Sequence, residues 1–382
     1  MADGTRRTGI VLSDRQRISW LRLIRSDNVG PATFRDLINT FGTAETALAM
    51  LPELSARGGS TRTIRVASVE EAERELAFAS RFGARFLGIG EPDYPPALRQ
   101  IDAAPPILAV KGDAAVALRP SLGIVGSRNA SVSGAKFAAM IAREAGRAGY
   151  TITSGLARGI DAAAHVASLE TGTIAAMAGG LDQPYPPENV PLLNQITEGS
   201  GLAISEMPFG WEPRARDFPR RNRLIAGVSM GLAVVEAAVR SGSLITARFA
   251  ADFGRLVFAV PGSPLDPRCH GTNRLIRDGA TIVTEPADIL EALAPLTRID
   301  LFTPREMNEP IEDGDRRMAA PPDDSERQRI VDALGPTPVD IDDIIRHTGL
   351  SAAQVYLVLL ELDLAGRLHR HANGMVSVTS FL

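Results

Sequence analysis

The 382-residue sequence predicts an α/β protein whose main body is a doubly wound, mostly parallel sheet, with a small helical unit before it and a winged helix after it. Three observations carry the prediction. Short apolar runs alternate with helical patterns from Ile107 to Val283, the rhythm of βαβ units. Most of the runs are continuous, as in strands covered on both faces. Two of them break into small Gly-bearing turns with arginines, Gly123-Ile-Val-Gly-Ser-Arg128 and Thr151-Ile-Thr-Ser-Gly-Leu-Ala-Arg-Gly-Ile-Asp161, where parallel strands feed helices.

Residues 1–82 read as an N-terminal helical domain. A helical pattern runs from Arg15 to about Leu51 and is broken by Asn28-Val-Gly-Pro31, a turn that resembles a helix-hairpin-helix (SAM-like) unit. A charged helix follows near Val69 to Arg81. Residues 83–295 carry the sheet, with strands expected at Arg85–Gly90, Ile107–Gly112, Leu122–Val125, Tyr150–Thr153, Ile174–Met177, Leu202–Ser205, Leu232–Val235, Val257–Val260 and Thr281–Val283. Residues 296–324 are acidic and Pro-rich, the composition of a linker. In residues 325–382, helical patterns at Glu326–Leu334, Ile341–His347 and Ala352–Gly366 precede a hairpin closed at Asn373-Gly374, which describes a winged helix.

The bulk numbers exclude several classes. No apolar run approaches the roughly 18 residues of a membrane span, and the N-terminal Met-Ala-Asp-Gly-Thr-Arg-Arg lacks the apolar core of a secretion signal. No membrane association and a cytoplasmic setting are expected. Cys269 is the single cysteine and there are five scattered histidines, so neither a disulfide framework nor a metal site is expected. The net charge of −4 places any nucleic-acid contact in a local patch. Lys111 and Lys136 are the only lysines among 41 Lys and Arg residues, so that patch would be built from arginine.

Free backbone N–H groups and the positive end of a helix dipole meet at each strand-to-helix turn, and an arginine adds a planar donor for phosphate oxygens. Two such turns side by side describe an anion-binding crevice, with Gly126, Ser127 and Arg128 from one and Ser154, Gly155, Arg158 and Gly159 from the other. A dinucleotide enzyme would need G-x-G-x-x-G in the first turn and an acid after the second strand. Gly123 to Arg128 lacks the first and Ser154-Gly155 the second; a Walker A motif is also absent, so no cofactor is expected. Asp161 and His165 share a helix face, yet Ser127 and Ser154 lie in no G-x-S-x-G elbow; a bracing role is expected for the pair and no catalytic residue is assigned.

The most basic window, Trp211 to Arg223, holds Arg214, Arg216, Arg220, Arg221 and Arg223, with Asn222, among the aromatics Phe209, Trp211 and Phe218. Arginines interleaved with aromatics suit a sequence-tolerant single-strand binder; a solvated loop whose aromatics seal the sheet edge is the alternative. Ser241, Gly242 and Thr246, at the start of a later helix, complete the rim.

These motifs resemble those of the DprA (Smf) family of DNA-processing proteins. The matching segments are Gly126-Ser-Arg128, Ser154-Gly-Leu-Ala-Arg-Gly-Ile-Asp161 with Ala164-His165, Gly180-Leu-Asp182 with Tyr185-Pro186, Ser205-Glu206, Phe218-Pro-Arg-Arg-Asn-Arg-Leu-Ile-Ala226, Ser241-Gly-Ser-Leu-Ile-Thr-Ala247, Val260-Pro-Gly262 and Gly271-Thr-Asn-Arg-Leu-Ile-Arg-Asp-Gly-Ala280. The resemblance implies an extended Rossmann domain that binds single-stranded DNA, forms a homodimer through that domain, loads RecA onto strands and is not an enzyme. It places the DNA pocket on Gly126, Ser127, Arg128, Ser154, Gly155, Arg158, Arg221 and Arg223, and the dimer and RecA surfaces near Gly271 to Asp278. Position 158 is often lysine in relatives. The Rossmann variant also resembles nucleotide-processing phosphoribohydrolases with P-G-G-x-G-T-x-x-E, but the comparable Ser241 to Ala247 loop has no following acid in register.

A winged helix that reads DNA needs polar or basic residues on its recognition helix. Ser351 to Ala365 is apolar and acidic without one Arg or Lys. This domain is therefore expected to pack on protein, leaving any DNA affinity to Arg367, Arg370 and the adjacent histidines of the wing.

Overall fold

The computed structural model describes residues 11–298, 322–371 and 374–378; most of the linker and the Asn373 position of the wing turn lie outside them. The chain forms two compact units, one from Glu75 through the sheet and one that joins Leu12–Arg74 to the C-terminal segment.

In the second unit, α1 (Asp14–Arg25), α2 (Pro31–Phe41) and α3 (Ala44–Arg57) form the N-terminal helices. Ser13 caps α1 through a reciprocal box with Gln16, and Pro31 opens α2 where its missing N–H costs nothing. Trp20 and Phe34 meet edge to face across the α1–α2 pair, with centroids 5.1 Å apart. Helix α4 (Val69–Arg81) contains the boundary between the units.

The sheet begins with β1 (Arg85–Gly88), α5 (Pro96–Arg99) and β2 (Ile107–Gly112). Then follow β3 (Ser121–Gly126), α6 (Val132–Arg147), β4 (Thr151–Ser154), α7 (Ile160–Ala167), β5 (Thr173–Ala176), α8 (Val190–Glu198) and β6 (Gly201–Ser205). The other half comprises α9 (Asp217–Val228), β7 (Gly231–Val235), α10 (Gly242–Asp252), β8 (Leu256–Ala259), α11 (His270–Arg277), β9 (Thr281–Ile282) and α12 (Pro286–Arg298). The nine strands are ordered β1-β2-β6-β5-β4-β3-β7-β8-β9. From β6 to β9 every pairing is parallel; β2 joins β6 antiparallel and β1 joins β2 antiparallel. The mostly parallel, doubly wound sheet expected from the alternation is thus the observed one.

Period-two alternation gives each strand two apolar faces. Within β3, Leu122 and Ile124 join one core with Ile141 of α6 and Ile289 of α12, whereas Val125 joins the other with Ile225 of α9 and Ala247 of α10. After β3 the chain winds outward through β4, β5 and β6, then crosses back to place β7 on β3's other side. The strand order reverses between β3 and β7, and ligand crevices of open α/β sheets form at the carboxyl ends of strands at that point.

The C-terminal segment forms α13 (Asp324–Asp332), β10 (Val339–Asp340), α14 (Ile341–Thr348), α15 (Ala352–Leu364), β11 (Leu368–Arg370) and β12 (Met375–Val378). It is the expected winged helix, with β10 added to the wing as a third strand on β12. Its α15, in the position of a recognition helix, lies against α2 and α3. Asp363 accepts from Thr33 Oγ1 at 2.9 Å and from Arg370 Nε at 2.8 Å, and Arg370 also pairs with Asp36 at 2.8 Å. Asn28 Nδ2, in the helical hairpin's turn, donates to Leu364 O at 2.9 Å. Gly58 touches the α15 backbone so closely that a Cβ would overlap Glu361 O.

The winged helix therefore packs on protein, namely the chain's own N-terminal helices. The wing arginines, to which any DNA affinity of this domain was assigned with the adjacent histidines, are engaged within the chain: Arg370 is bound by two carboxylates, and Arg367 Nη1 donates to Gly58 O at 3.0 Å.

Glu361 is 1% exposed and takes a bidentate pair from Arg327, at 3.0 and 3.1 Å. Removing one partner of such a pair strands the other charge. Glu361→Ala should destabilise this unit by about 3 kcal/mol, read as a lower urea midpoint.

Candidate nucleic-acid interface

At the switch point a crevice of about 380 Å³ opens, lined by residues 125–129 at the end of β3 and just beyond it, by Phe218, Arg221 and Asn222 of α9, and by Ala238, residues 240–243, Ile245 and Thr246 ahead of and within α10. Gly126 is demanded by the crossing: a Cβ there would overlap Val235 O of the neighbouring strand. This close approach brings the two halves of the sheet together beneath the crevice.

The backbone donors expected to meet an anion are largely satisfied within the chain. At the N-terminus of α6, Ser131 N–H donates to Glu236 Oε2 at 2.9 Å and the Ser131 hydroxyl donates to Glu236 Oε1. Glu236 follows β7 directly, is 8% exposed and holds φ at +53°, a conformation that costs a non-glycine residue. The helix end that takes phosphate in dinucleotide enzymes is already occupied by a carboxylate of the chain itself.

The second turn is closed in the same way. Asp161 Oδ2 accepts the N–H groups of Gly155 and Ala157 at 3.1 and 3.4 Å, and His165 Nε2 accepts that of Leu156 at 3.3 Å. Because Nε2 accepts, Nδ1 carries the proton and donates to Thr173 Oγ1 at 2.7 Å, which donates to Ile152 O at 2.9 Å. The pair braces the loop, as its helix spacing led one to expect. Burial raises the Asp161 pKa, with Arg221 opposing, and burial first and Arg221 second lower that of His165 to about 3.

Arg221 is 6% exposed, and its Nη1 donates to Gly155 O and, at 2.8 Å, to Ala176 O. It ties α9 to the carboxyl ends of β4 and β5. Burial lowers its pKa to about 10, against the opposing charge of Asp161, so it remains a cation at neutral pH. It lines the crevice floor together with Asn222, whose Nδ2 donates to Gly242 O at 3.1 Å.

The exposed cations are Arg128, 5.3 Å over the Phe218 ring, and Arg240. Neither has a hydrogen bond or ion pair among the described residues. Tyr185 meets Phe218 edge-on at 5.5 Å and, with Gly155 and Arg158, lines an adjoining notch. Arg158 stands 3.3 Å from Glu188.

Of the residues singled out from the sequence, Gly126, Ser127, Arg128, Arg221, Asn222, Ser241, Gly242 and Thr246 line the crevice, and Gly155 and Arg158 the notch. Four do not. Ser154 is fully buried and its hydroxyl donates to Ile124 O. Gly159, at φ +74°, lets the loop pass against Ser127 O, which a Cβ would strike. Arg220 and Arg223 both turn to Glu206, and Arg223 also donates to Ala103 O. Of the three aromatics, only Phe218 reaches the crevice; Phe209 packs with Phe78, Phe82 and Phe86, and Trp211 Nε1 donates to Asp217. Arg240 was missed, although its place just ahead of the Ser241 cap was a usable signal.

A doubly wound α/β protein with an arginine-lined crevice at its switch point is the class that this fold and site define. Comparison with known proteins agrees. The family model described as DNA recombination-mediator protein A matches residues 85–294; a DprA-like N-terminal HHH domain matches 14–77 and a DprA winged helix domain 314–374. The Smf protein of Synechocystis is 35% identical over 311 residues, covering 74% of this chain and 77% of that one. The crystal structure of DNA processing protein A from Streptococcus pneumoniae matches with a TM-score of 0.61 and 34% identity, over 74% of this chain and 98% of that one. A structure of the Helicobacter pylori protein, solved for its single-stranded DNA binding mode, matches with a TM-score of 0.51 and 28% identity, over 57% and 98%. The chain belongs to the DNA recombination-mediator protein A (DprA/Smf) family, whose members are mediators and not enzymes.

Buried His165 carries a pH signature. Its folded pKa of about 3 lies below its ordinary 6.5, so between these values the unfolded chain binds a proton that the folded chain refuses. This contribution makes stability rise with pH through that window and level off above it. Asp161, with its raised pKa, contributes the opposite slope just above the ordinary carboxylate range. Urea unfolding of His165→Gln should show a shallower rise than wild type from about pH 4 to 6.5, with the Asp161 contribution common to both.

Proposed function

We propose that the crevice binds single-stranded DNA without sequence preference, and that the protein hands the bound strand to the RecA recombinase. The observation that carries this reading is the pair of exposed arginines, Arg128 and Arg240, unpaired among the described residues and lining one crevice at the switch point, with Arg128 over the Phe218 ring. Cations serve phosphates and the ring offers a face or edge to a base, the combination that sequence-tolerant strand binders use. The internal satisfaction of the α6 terminus by Glu236 disfavours a compact nucleotide phosphate there, while side-chain donors tolerate the varied geometry of a strand. Gly126, Ser127, Gly155, Arg158, Asn222, Ser241, Gly242 and Thr246 form the surrounding wall, and Arg221 supplies a buried positive charge beneath it. Arg220 and Arg223 support the site by anchoring α9 through Glu206. A homodimer through the Rossmann domain and a cytoplasmic setting complete the reading, which the family membership supports; among the described residues no helix is long and apolar enough to cross a membrane.

Fluorescence anisotropy of a labelled oligothymidylate against an equal-length duplex tests the binding. Wild type should prefer the single strand, with log K falling linearly with log salt. Arg128→Ala with Arg240→Ala should lower affinity by about 100-fold, given roughly 1–3 kcal/mol for each charge-assisted contact. Equal affinity in wild type and double variant would remove the crevice from DNA binding.

RecA transfer is read separately, as the rate of RecA assembly on strands pre-coated with a single-strand binding protein. Wild type should accelerate assembly and the double variant should not; no acceleration by a wild type that binds strands would restrict the function to binding.

A further inference from the structure

Arg128, Ala157, Phe218 and Arg221 line both the crevice and the adjoining notch, so one wall runs from the first into the second. The notch adds Gly155, Arg158, Tyr185 and Pro186. The two rings on this wall differ in what already lies against them. Phe218 has two guanidiniums, Arg128 at 5.3 Å and Arg221 at 5.9 Å from the ring centre. Tyr185 has no cation against its ring among the described residues, is 46% exposed, and meets Phe218 edge to face at 5.5 Å. An edge-to-face neighbour steadies an aromatic ring while leaving much of its surface uncovered. Tyr185 thus offers open ring surface beside a row of arginines.

The segment that presents Tyr185 is tied on several sides. Asp182 accepts the Gly210 N–H at 2.9 Å, Gly180 N–H donates to Trp211 O at 3.0 Å, and Asn189 Nδ2 donates to Leu156 O at 2.8 Å. A ring with two side-chain torsions on a tethered loop gives up little entropy when it is covered. The Tyr185 hydroxyl has no hydrogen-bond partner among the described residues, so the ring is placed by its loop and by Phe218. In the same notch Arg158 stands 3.3 Å from Glu188, with both side chains more than half exposed, a pairing that water and salt readily loosen. An open ring and a loosely held cation together suit one nucleotide, base and phosphate.

We infer that Tyr185 is a stacking platform for a base of the bound strand, which passes from the crevice into the notch along the wall that the two share. The inference rests on the single-strand reading of the crevice and adds a contact that charge alone cannot supply. It keeps recognition sequence-tolerant, because every base has a π-face. Continuity with the arginine crevice favours a nucleobase over an aromatic side chain of another protein.

The test uses the full-length protein and two labelled strands of about 20 nucleotides, an oligothymidylate and a strand whose sugars carry no bases, titrated by anisotropy across a salt series. Tyr185→Ala should weaken the oligothymidylate about tenfold, the loss of one stacked base. The slope of log K against log salt should stay as in wild type, since no phosphate contact is removed. Tyr185→Phe, which keeps the ring, should restore wild-type affinity, and on the baseless strand the loss with Tyr185→Ala should vanish. Arg128→Ala should weaken both strands and flatten the slope by about 0.7. Equal losses with Tyr185→Ala on the two strands would make Tyr185 a brace for the notch and overturn the inference. No loss on either strand, or a loss with Tyr185→Phe as large as with Tyr185→Ala, would overturn it as well, and in all three cases the dependence on Arg128 keeps the crevice as the strand site. Failure of wild type to bind either strand would instead remove the single-strand reading itself, and this extension with it.

Discussion

Glu236 stands where the two halves of the sheet meet. Its carboxylate accepts from Ser131 and thereby fixes the start of α6, while its own backbone is turned to φ +53° just beyond β7. Beside it, the bare Cα of Gly126 lets the strand end pass against Val235 O. A larger residue at 126 would part β3 from β7, and a missing carboxylate at 236 would leave the partly buried N–H and hydroxyl of Ser131, the cap of α6, without that partner. The crevice exists because this crossing is tight and internally satisfied.

The same logic governs the second turn. Three consecutive N–H groups, from Gly155 to Ala157, are taken by Asp161 and His165, and the Gly155 carbonyl is taken by Arg221. A loop satisfied in this way is rigid, and it offers a ligand its side chains rather than its backbone. In the proposed reading, binding therefore falls to guanidiniums. Arg128 and Arg240, being exposed on flexible stems, can follow a strand whose phosphates do not sit at one fixed point, whereas a ring of backbone amides would select one geometry. A closed backbone below and adaptable cations above is the physical basis of the sequence-tolerant recognition proposed for the crevice.

At the other unit, the two ends of the chain hold each other. The apolar and acidic face of α15 is matched by α2 and α3, with Asp36, Asp363 and Arg370 forming one charged cluster at their junction. Burial raises the Asp36 pKa despite the Arg370 charge beside it, and Arg370 stands between the two carboxylates and offsets their charge. The helix that would enter a DNA groove in a reading winged helix is here a structural face.

The order of the elements and most of their identities were legible in the residues themselves, but not the antiparallel pairings of β1 and β2 or the short strand β10. Continuous apolar runs make buried parallel strands, Gly-Ser turns place the switch, and the absence of Arg and Lys from Ser351 to Ala365 foretold a helix that packs on protein, because these are consequences of local pattern and of which groups tolerate burial. Which arginines face the crevice was not legible. Arg220, Arg221 and Arg223 are neighbours in sequence, yet Glu206 draws the first and third away and carbonyls from two different strands hold the second. Arg240, outside the basic window, is free because the fold brings it no carboxylate among the described residues. The destination of a long charged side chain is decided by the acceptors that folding places within its reach, and those acceptors come from distant parts of the chain. Local pattern determined the scaffold; tertiary structure alone decided which charges remain for a ligand.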